Sequence, residues 1–145
     1  MHTINSDLLL PCGKLTCGGQ SKINPLRTAN HVHETGLTLR IQARDGQGED
    51  LIILVAGDQQ YDYVEKNQLD NLDILVASHH GGKFCWSTKG VIPTAKKSMN
   101  SVVIYSYGLN NTYGHPSKLA EYKNANWLKE HHTCKKGEFE ITIFL

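Results

Sequence analysis

Asp58, His79, His80 and His115 are the residues whose types and placement could do chemistry. Each follows an apolar run that reads as a strand, and in α/β sheets ligands bind beyond the carboxyl ends of strands. A carboxylate oxygen gathered with neutral imidazoles suits zinc, and also manganese or iron. Gly57 and the Gly81-Gly82 pair would let the backbone turn sharply beside a metal or substrate. Each residue also has a plainer use. An Asp after a strand often caps the next helix. A His-His pair is often a solvated loop pair, and a His before Pro116 says little on its own. The ordered combination at three strand ends is what favours a functional reading.

The remaining candidates read more plainly. Four cysteines, Cys12, Cys17, Cys85 and Cys134, are widely spread with no Cys-x-x-Cys pair. Cys12 and Cys17 could clip a metal, but no further ligands stand nearby at finger-like spacing. Reduced thiols and a cytoplasmic location are expected. His31 and His33 read as incidental loop residues, and His131 and His132 as a helix end, where a cation suits the helix dipole. Lys96-Lys97 and Lys135-Lys136 read as solvated. Trp86 and Trp127 read as packing residues, although Trp86 could line a pocket.

The elements that must carry these residues follow from periodicity. Residues 1–36 read as an irregular segment punctuated by Pro and Gly, with at most a short strand at Leu8 to Leu10. Leu37, Leu39 and Ile41 alternate with polar residues, the period of a half-buried strand. A Gly-rich turn leads to Leu51–Ala56, a continuous apolar run that reads as a strand covered on both faces. Gln59–Leu69 is helix-compatible, with Tyr63 and Leu69 as buried contacts. Leu72–Ala77 and Val102–Tyr105 are further apolar strands, separated by a loop with room for a short helix. Ser117 is a good N-cap for a helix from Lys118 to the region of His131. Phe139, Ile141 and Ile143 alternate with polar residues and predict a closing strand. Strands alternating with helices make the class α/β, with a mixed sheet because a hairpin precedes the βα units.

Bulk properties bound the function. At 145 residues the chain fits one domain, large enough to bury roughly 70% of its unfolded surface. Fifteen Lys and Arg against fourteen Asp and Glu leave a formal charge of +1. That argues against a dominant electrostatic grip on nucleic acid or an anionic membrane. No apolar run approaches the roughly 18 residues of a membrane span. No basic segment precedes the short apolar run near Leu8, so neither a secretion signal nor a membrane partner is expected.

Together, the motifs resemble the metallo-β-lactamase-fold hydrolases. Leu51–Asp58 is similar to the strand and Gly-Asp of that superfamily. LDILVASHHGG, Leu72 to Gly82, is similar to its strand and His-His-Gly, and NTYGHP, Asn111 to Pro116, to an Asn-x-Tyr-Gly-His-Pro segment. The last marks a branch that includes the soluble domain of competence-related DNA-uptake proteins and the choline-phosphate esterases. HETGLTLRI resembles the segment before the Gly-Asp strand, and KKGEFEITIF the terminal strand. The resemblance covers about residues 30–145.

The resemblance implies an α/β fold forming half of an αββα sandwich, a mixed sheet with flanking helices, over 37–145. It implies Asp58 as a carboxylate bridging two metals and one of His79 and His80 as a ligand. His80 is preferred as ligand, with His79 as a proton donor. His115 would stand at the rim, acting on substrate or supporting the metal shell. Asn111, Tyr113 and Gly81 would contact substrate. The implied cofactor is zinc, with manganese or iron as alternatives, and the implied reaction is attack of a metal-bound hydroxide on an ester or phosphoester. Three features depart from the pattern. The His-x-His-x-Asp-His loop of the superfamily's first half has no counterpart upstream of Asp58. Gln59-Gln60 stand where relatives often carry an acid, and Gly82 replaces a common Ser.

Two functions are therefore expected. One is part of a metal-dependent hydrolase acting on a phosphodiester or related ester, with a complementary half-domain or a second protomer completing the ligand set. Its substrate could be a phosphoester or a nucleotide. The other is a catalytically inactive half-fold that serves in binding or oligomer assembly.

Overall fold

The computed structural model describes residues 7–10, 13–18, 38–44, 48–84 and 92–140. Seven strands form one sheet in sequence order. They are β1 (Asp7–Leu10), β2 (Gly13–Gly18), β3 (Thr38–Arg44), β4 (Asp50–Val55), β5 (Ile74–Val76), β6 (Val102–Tyr105) and β7 (Lys129–His132). β1 to β4 pair antiparallel, and β4 to β7 pair parallel. The class is thus mixed α/β, with few helices: α1 (Leu119–Asn124) and α2 (Thr133–Lys136).

The period of two along each strand sorts side chains to opposite faces. The register sets Leu54 beside Leu75 and Ile53 beside Ile74, so each residue type continues across neighbouring strands. On one face Ile52, Leu54, Leu75, Val103 and Tyr105 join a core with Tyr61, Leu72, Phe84, Tyr122 and Trp127. The latter residues come from the segments between strands. Parallel crossovers stepping in one direction along a sheet lie on one side of it, because such connections are right-handed. On the other face Ile74, Val102 and Ile104 form a smaller cluster with Leu51, Ile53, Val76 and Phe139.

Several expectations change. The stretch 59–69 forms two single 3-10 turns, Tyr61–Tyr63 and Lys66–Gln68, rather than a helix. Its buried residues are Gln59, Gln60, Tyr61 and Gln68, while Tyr63 is half-buried and Leu69, partly buried, packs against the core. The helix after Ser117 stops at Asn124, because Asn126 adopts positive φ and the chain turns into β7. His131 and His132 therefore stand on a strand, not at a helix end. Residues 1–36 contain two strands of the sheet. Trp127 is fully buried and donates its indole N–H to the Pro93 carbonyl at 2.6 Å. Lys96 is not solvated: its ammonium bonds the Asp50 carbonyl at 3.0 Å and Asp73 at 3.3 Å. His31, His33, Cys12, Cys85, Trp86 and the residues 141–145 of the predicted closing strand lie outside the described residues.

Candidate functional site

The four parallel strands β4 to β7 present their carboxyl ends along one edge, and the predicted residues collect there. Asp58 follows β4 in a turn, so its expected use as a helix cap does not arise. The His79 amide donates to the Gly57 carbonyl at 2.9 Å, which ties the end of β5 to the end of β4. A buried polar cluster underneath fixes that junction. The Ser78 amide donates to the Tyr61 hydroxyl at 3.0 Å, the Ser78 hydroxyl donates to the Gln59 carbonyl at 2.6 Å, and Tyr61 meets Tyr122 at 3.1 Å. Burial pushes the Tyr61 phenol up to about 12.

His79 and His80 both adopt left-handed backbone, with φ of 50° and 57°. Such a conformation costs roughly 1–2 kcal/mol for a residue with a Cβ. Two in succession mark a strained turn of the kind found at functional sites. The turn brings the His80 ring to Asp58, just beyond the end of β4. Its Nε2 lies 3.9 Å from Asp58 Oδ1, with both side chains about half exposed. His115 stands beside them, its ring centroid 5.0 Å from that of His79 and 6.4 Å from that of His80.

The loop after β6 delivers His115. Asn111 Nδ2 donates to the His115 carbonyl at 2.8 Å, and the His115 amide donates to Asn111 Oδ1 at 2.9 Å. Asn111, expected to touch substrate, thus spends its carboxamide on the backbone of His115. Gly81 and Gly82 make room for this loop. A Cβ on Gly81 would stand 2.5 Å from the Tyr105 ring and 2.7 Å from Pro116, and one on Gly82 would run into the His115 ring. Gly81 is buried behind these neighbours, so its role is spacing. The Gly81 carbonyl also accepts the amides of Ser117 and Lys118 at 3.1 and 3.0 Å.

Beside the histidines opens a cleft of about 470 Å³, lined by His80, Tyr107, Asn111, Tyr113, His115 and Thr133 among others. That is within the size range of small-ligand pockets. Tyr113 is strongly exposed, and its ring lies nearly parallel to that of His115. His79 is not among the lining residues. A larger depression near Lys66, Asp70 and Lys96 holds none of the convergent histidines.

Asp58 and His80 fit a shared cation. Their 3.9 Å separation is less than the roughly 4.2 Å that two bonds of about 2.1 Å can span. His115 Nδ1 is buried without a hydrogen-bond partner, a state that ordinarily costs about 1–3 kcal/mol. Among the described residues, no group of three or more His, Cys, Asp and Glu is gathered closely enough to hold a metal. Nor is any helix of the described residues long and apolar enough to cross a membrane.

Sequence reading missed Tyr107 and Thr133 as cleft residues, and missed the link from Tyr107 to His132. The Tyr107 amide donates to Thr133 Oγ1 at 2.9 Å, and the Tyr107 hydroxyl meets His132 Nδ1 at 2.9 Å. No protein-family model matches the chain, and neither the curated proteins nor the solved structures include a match to it.

Proposed function

We propose that this chain is part of a metal-dependent hydrolase acting on a phosphodiester or related ester. The carrying observation is the approach of His80 to Asp58 at the ends of adjacent parallel strands, with His115 alongside. Asp58 and His80 would hold zinc, or else manganese or iron. The metal would supply an activated water and neutralise charge on the ester. His115 and Tyr113 would bound the substrate, and Asn111 would keep His115 in place. The fold is read as half of an αββα sandwich, with the face carrying Ile74, Val102 and Ile104 turned toward a complementary half or second protomer. That partner, or residues outside the described ones, would complete the ligand set. The spread of the four cysteines, with no Cys-x-x-Cys pair, favours a cytoplasmic setting.

The test is manganese- or zinc-dependent hydrolysis of bis(para-nitrophenyl) phosphate by the chain in whatever oligomer it forms. Metal-dependent turnover lost in Asp58→Ala is expected. Equal rates in both proteins, or no turnover, overturn the hydrolase reading. A second reading, a non-catalytic half-fold that assembles with a partner, is favoured by one observation: among the described residues, Asp58 and His80 approach as a pair with no third ligand gathered to them. Absence of turnover leaves that reading standing.

A further inference from the structure

Behind the cleft, His132 bridges a carboxylate and a phenol. Its Nδ1 meets the Tyr107 hydroxyl at 2.9 Å, and its Nε2 faces Glu130 Oε2 at 3.4 Å. Glu130 and His132 alternate on β7, so they share a face of the sheet. The register sets His132 beside Tyr105, their rings 4.9 Å apart. His132 is buried. Glu130 also faces the Lys123 ammonium at 3.8 Å, and its carbonyl accepts from the Lys136 ammonium at 3.0 Å. The phenol end is held firmly. Thr133 Oγ1 accepts the Tyr107 amide at 2.9 Å and stands 3.0 Å from the Tyr107 carbonyl, to which it can donate. Tyr107 itself lines the cleft together with His80 and His115.

We propose that Tyr107 is the acid of the cleft, donating its phenolic proton to the oxygen that leaves the substrate, with His132 and Glu130 positioned to return that proton. The inference rests on the hydrolase reading above. In the step, a water oxygen forms a bond to phosphorus while the bond from phosphorus to the leaving oxygen breaks. The leaving oxygen takes the Tyr107 proton. A solvent proton then reaches the phenolate by way of His132 Nδ1, with Glu130 facing Nε2, and the attacking water gives its proton to solvent. Burial, and then a hydrogen bond with Cys134, push Tyr107 up to about 12, so the phenol keeps its proton at ordinary pH and yields it to a leaving alkoxide, which is more basic still. His79, outside the cleft lining, is less well placed to donate. Tyr107 is thus a catalytic residue, and His132 and Glu130 are positioning residues.

Leaving-group dependence separates an acid from a packing residue, because a nitrophenolate leaves without a proton and an alkoxide does not. With manganese present, rates are measured on bis(para-nitrophenyl) phosphate and on a dinucleoside monophosphate, whose leaving group is an alkoxide. Tyr107→Phe is expected to lower the dinucleoside rate about a hundredfold more than the nitrophenyl rate. His132→Gln is expected to show the same split in smaller measure. Imidazole nitrogen spectra give a readout without turnover: the His132 Nδ1 resonance moves in Tyr107→Phe. Turnover with equal losses on both esters, or an unmoved Nδ1 resonance, overturns the acid role and leaves the hydrolase reading intact. A wild-type chain inert toward both esters overturns the two together.

Discussion

Asn111 grips the backbone of His115 from both ends of its carboxamide, donating to the carbonyl at 2.8 Å and accepting from the amide at 2.9 Å. The pairing fixes which end of the carboxamide is nitrogen, since the flipped group would set donor against donor and acceptor against acceptor. It closes a five-residue loop whose inner positions, Thr112 to Gly114, are exposed.

Asn111→Ala removes both bonds and is expected to destabilise the fold by about 1–3 kcal/mol. Asn111→Asp keeps the acceptor but sets a second acceptor against the His115 carbonyl, so it should not restore the loss. Urea unfolding of the three proteins measures this. Stabilities within about 0.5 kcal/mol of one another would mean that the clamp contributes nothing.

Gly82 and His115 compete for one space. A Cβ on Gly82 would come within 2.6 Å of His115 Nδ1 and 2.9 Å of the His79 carbonyl. Gly82→Ala should cost about 1–3 kcal/mol by overpacking. Adding His115→Ala removes the ring, so the double variant should recover part of that loss, with a coupling of at least about 0.5 kcal/mol. Strict additivity in a denaturation cycle would show that the ring gives way freely.

Tyr61 links alkaline stability to the histidine turn. Burial raises its phenol from the ordinary 10.0 to about 12. A pKa raised in the folded state means that the native protein binds the proton more tightly than the unfolded chain. The resulting stability is complete below about pH 10 and is lost as pH rises through about 12. Each unit of difference is worth about 1.4 kcal/mol. Tyr61→Phe removes the titrating group and the acceptor for the Ser78 amide. It should be less stable at neutral pH and lose less between pH 10 and 12. Parallel alkaline slopes for the two proteins would assign the loss to other tyrosines, Tyr105 and Tyr122, which burial also raises.

The strands that position the site were legible because their residues carry a pattern that burial on both faces imposes. Leu51–Ala56, Leu72–Ala77 and Val102–Tyr105 each overlap an observed strand, and Asp58, His80 and His115 do meet at their ends. The polar connections were not legible. Tyr61 is not legible because a buried tyrosine in a polar stretch has no period to reveal it; only the fold brings Tyr122 and Ser78 to its hydroxyl. Glu130 and His132 were read along a helix that runs on from Lys118. On a strand the same spacing sets both on one face beside Tyr107. Positive φ at Asn126, which ends the helical path, belongs to a residue type that tolerates it but does not require it. Lys96 looked solvated because sequence alone did not bring Asp50 and Asp73 to its ammonium.

The left-handed backbone of His80 predicts that stability and metal affinity pull in opposite directions. His80→Ala and His80→Gly both remove the ring, which is half exposed and 3.9 Å from Asp58. They differ in the backbone alone: alanine keeps the strain at φ 57°, and glycine releases it. His80→Gly should therefore be more stable than His80→Ala by about 1 kcal/mol, measured by urea unfolding. Both should lose zinc affinity alike, measured by calorimetric titration. Equal stability of the two variants would mean that the turn holds no strain at this position. Undiminished zinc binding in both would remove His80 from the proposed ligand set, whatever the stabilities show.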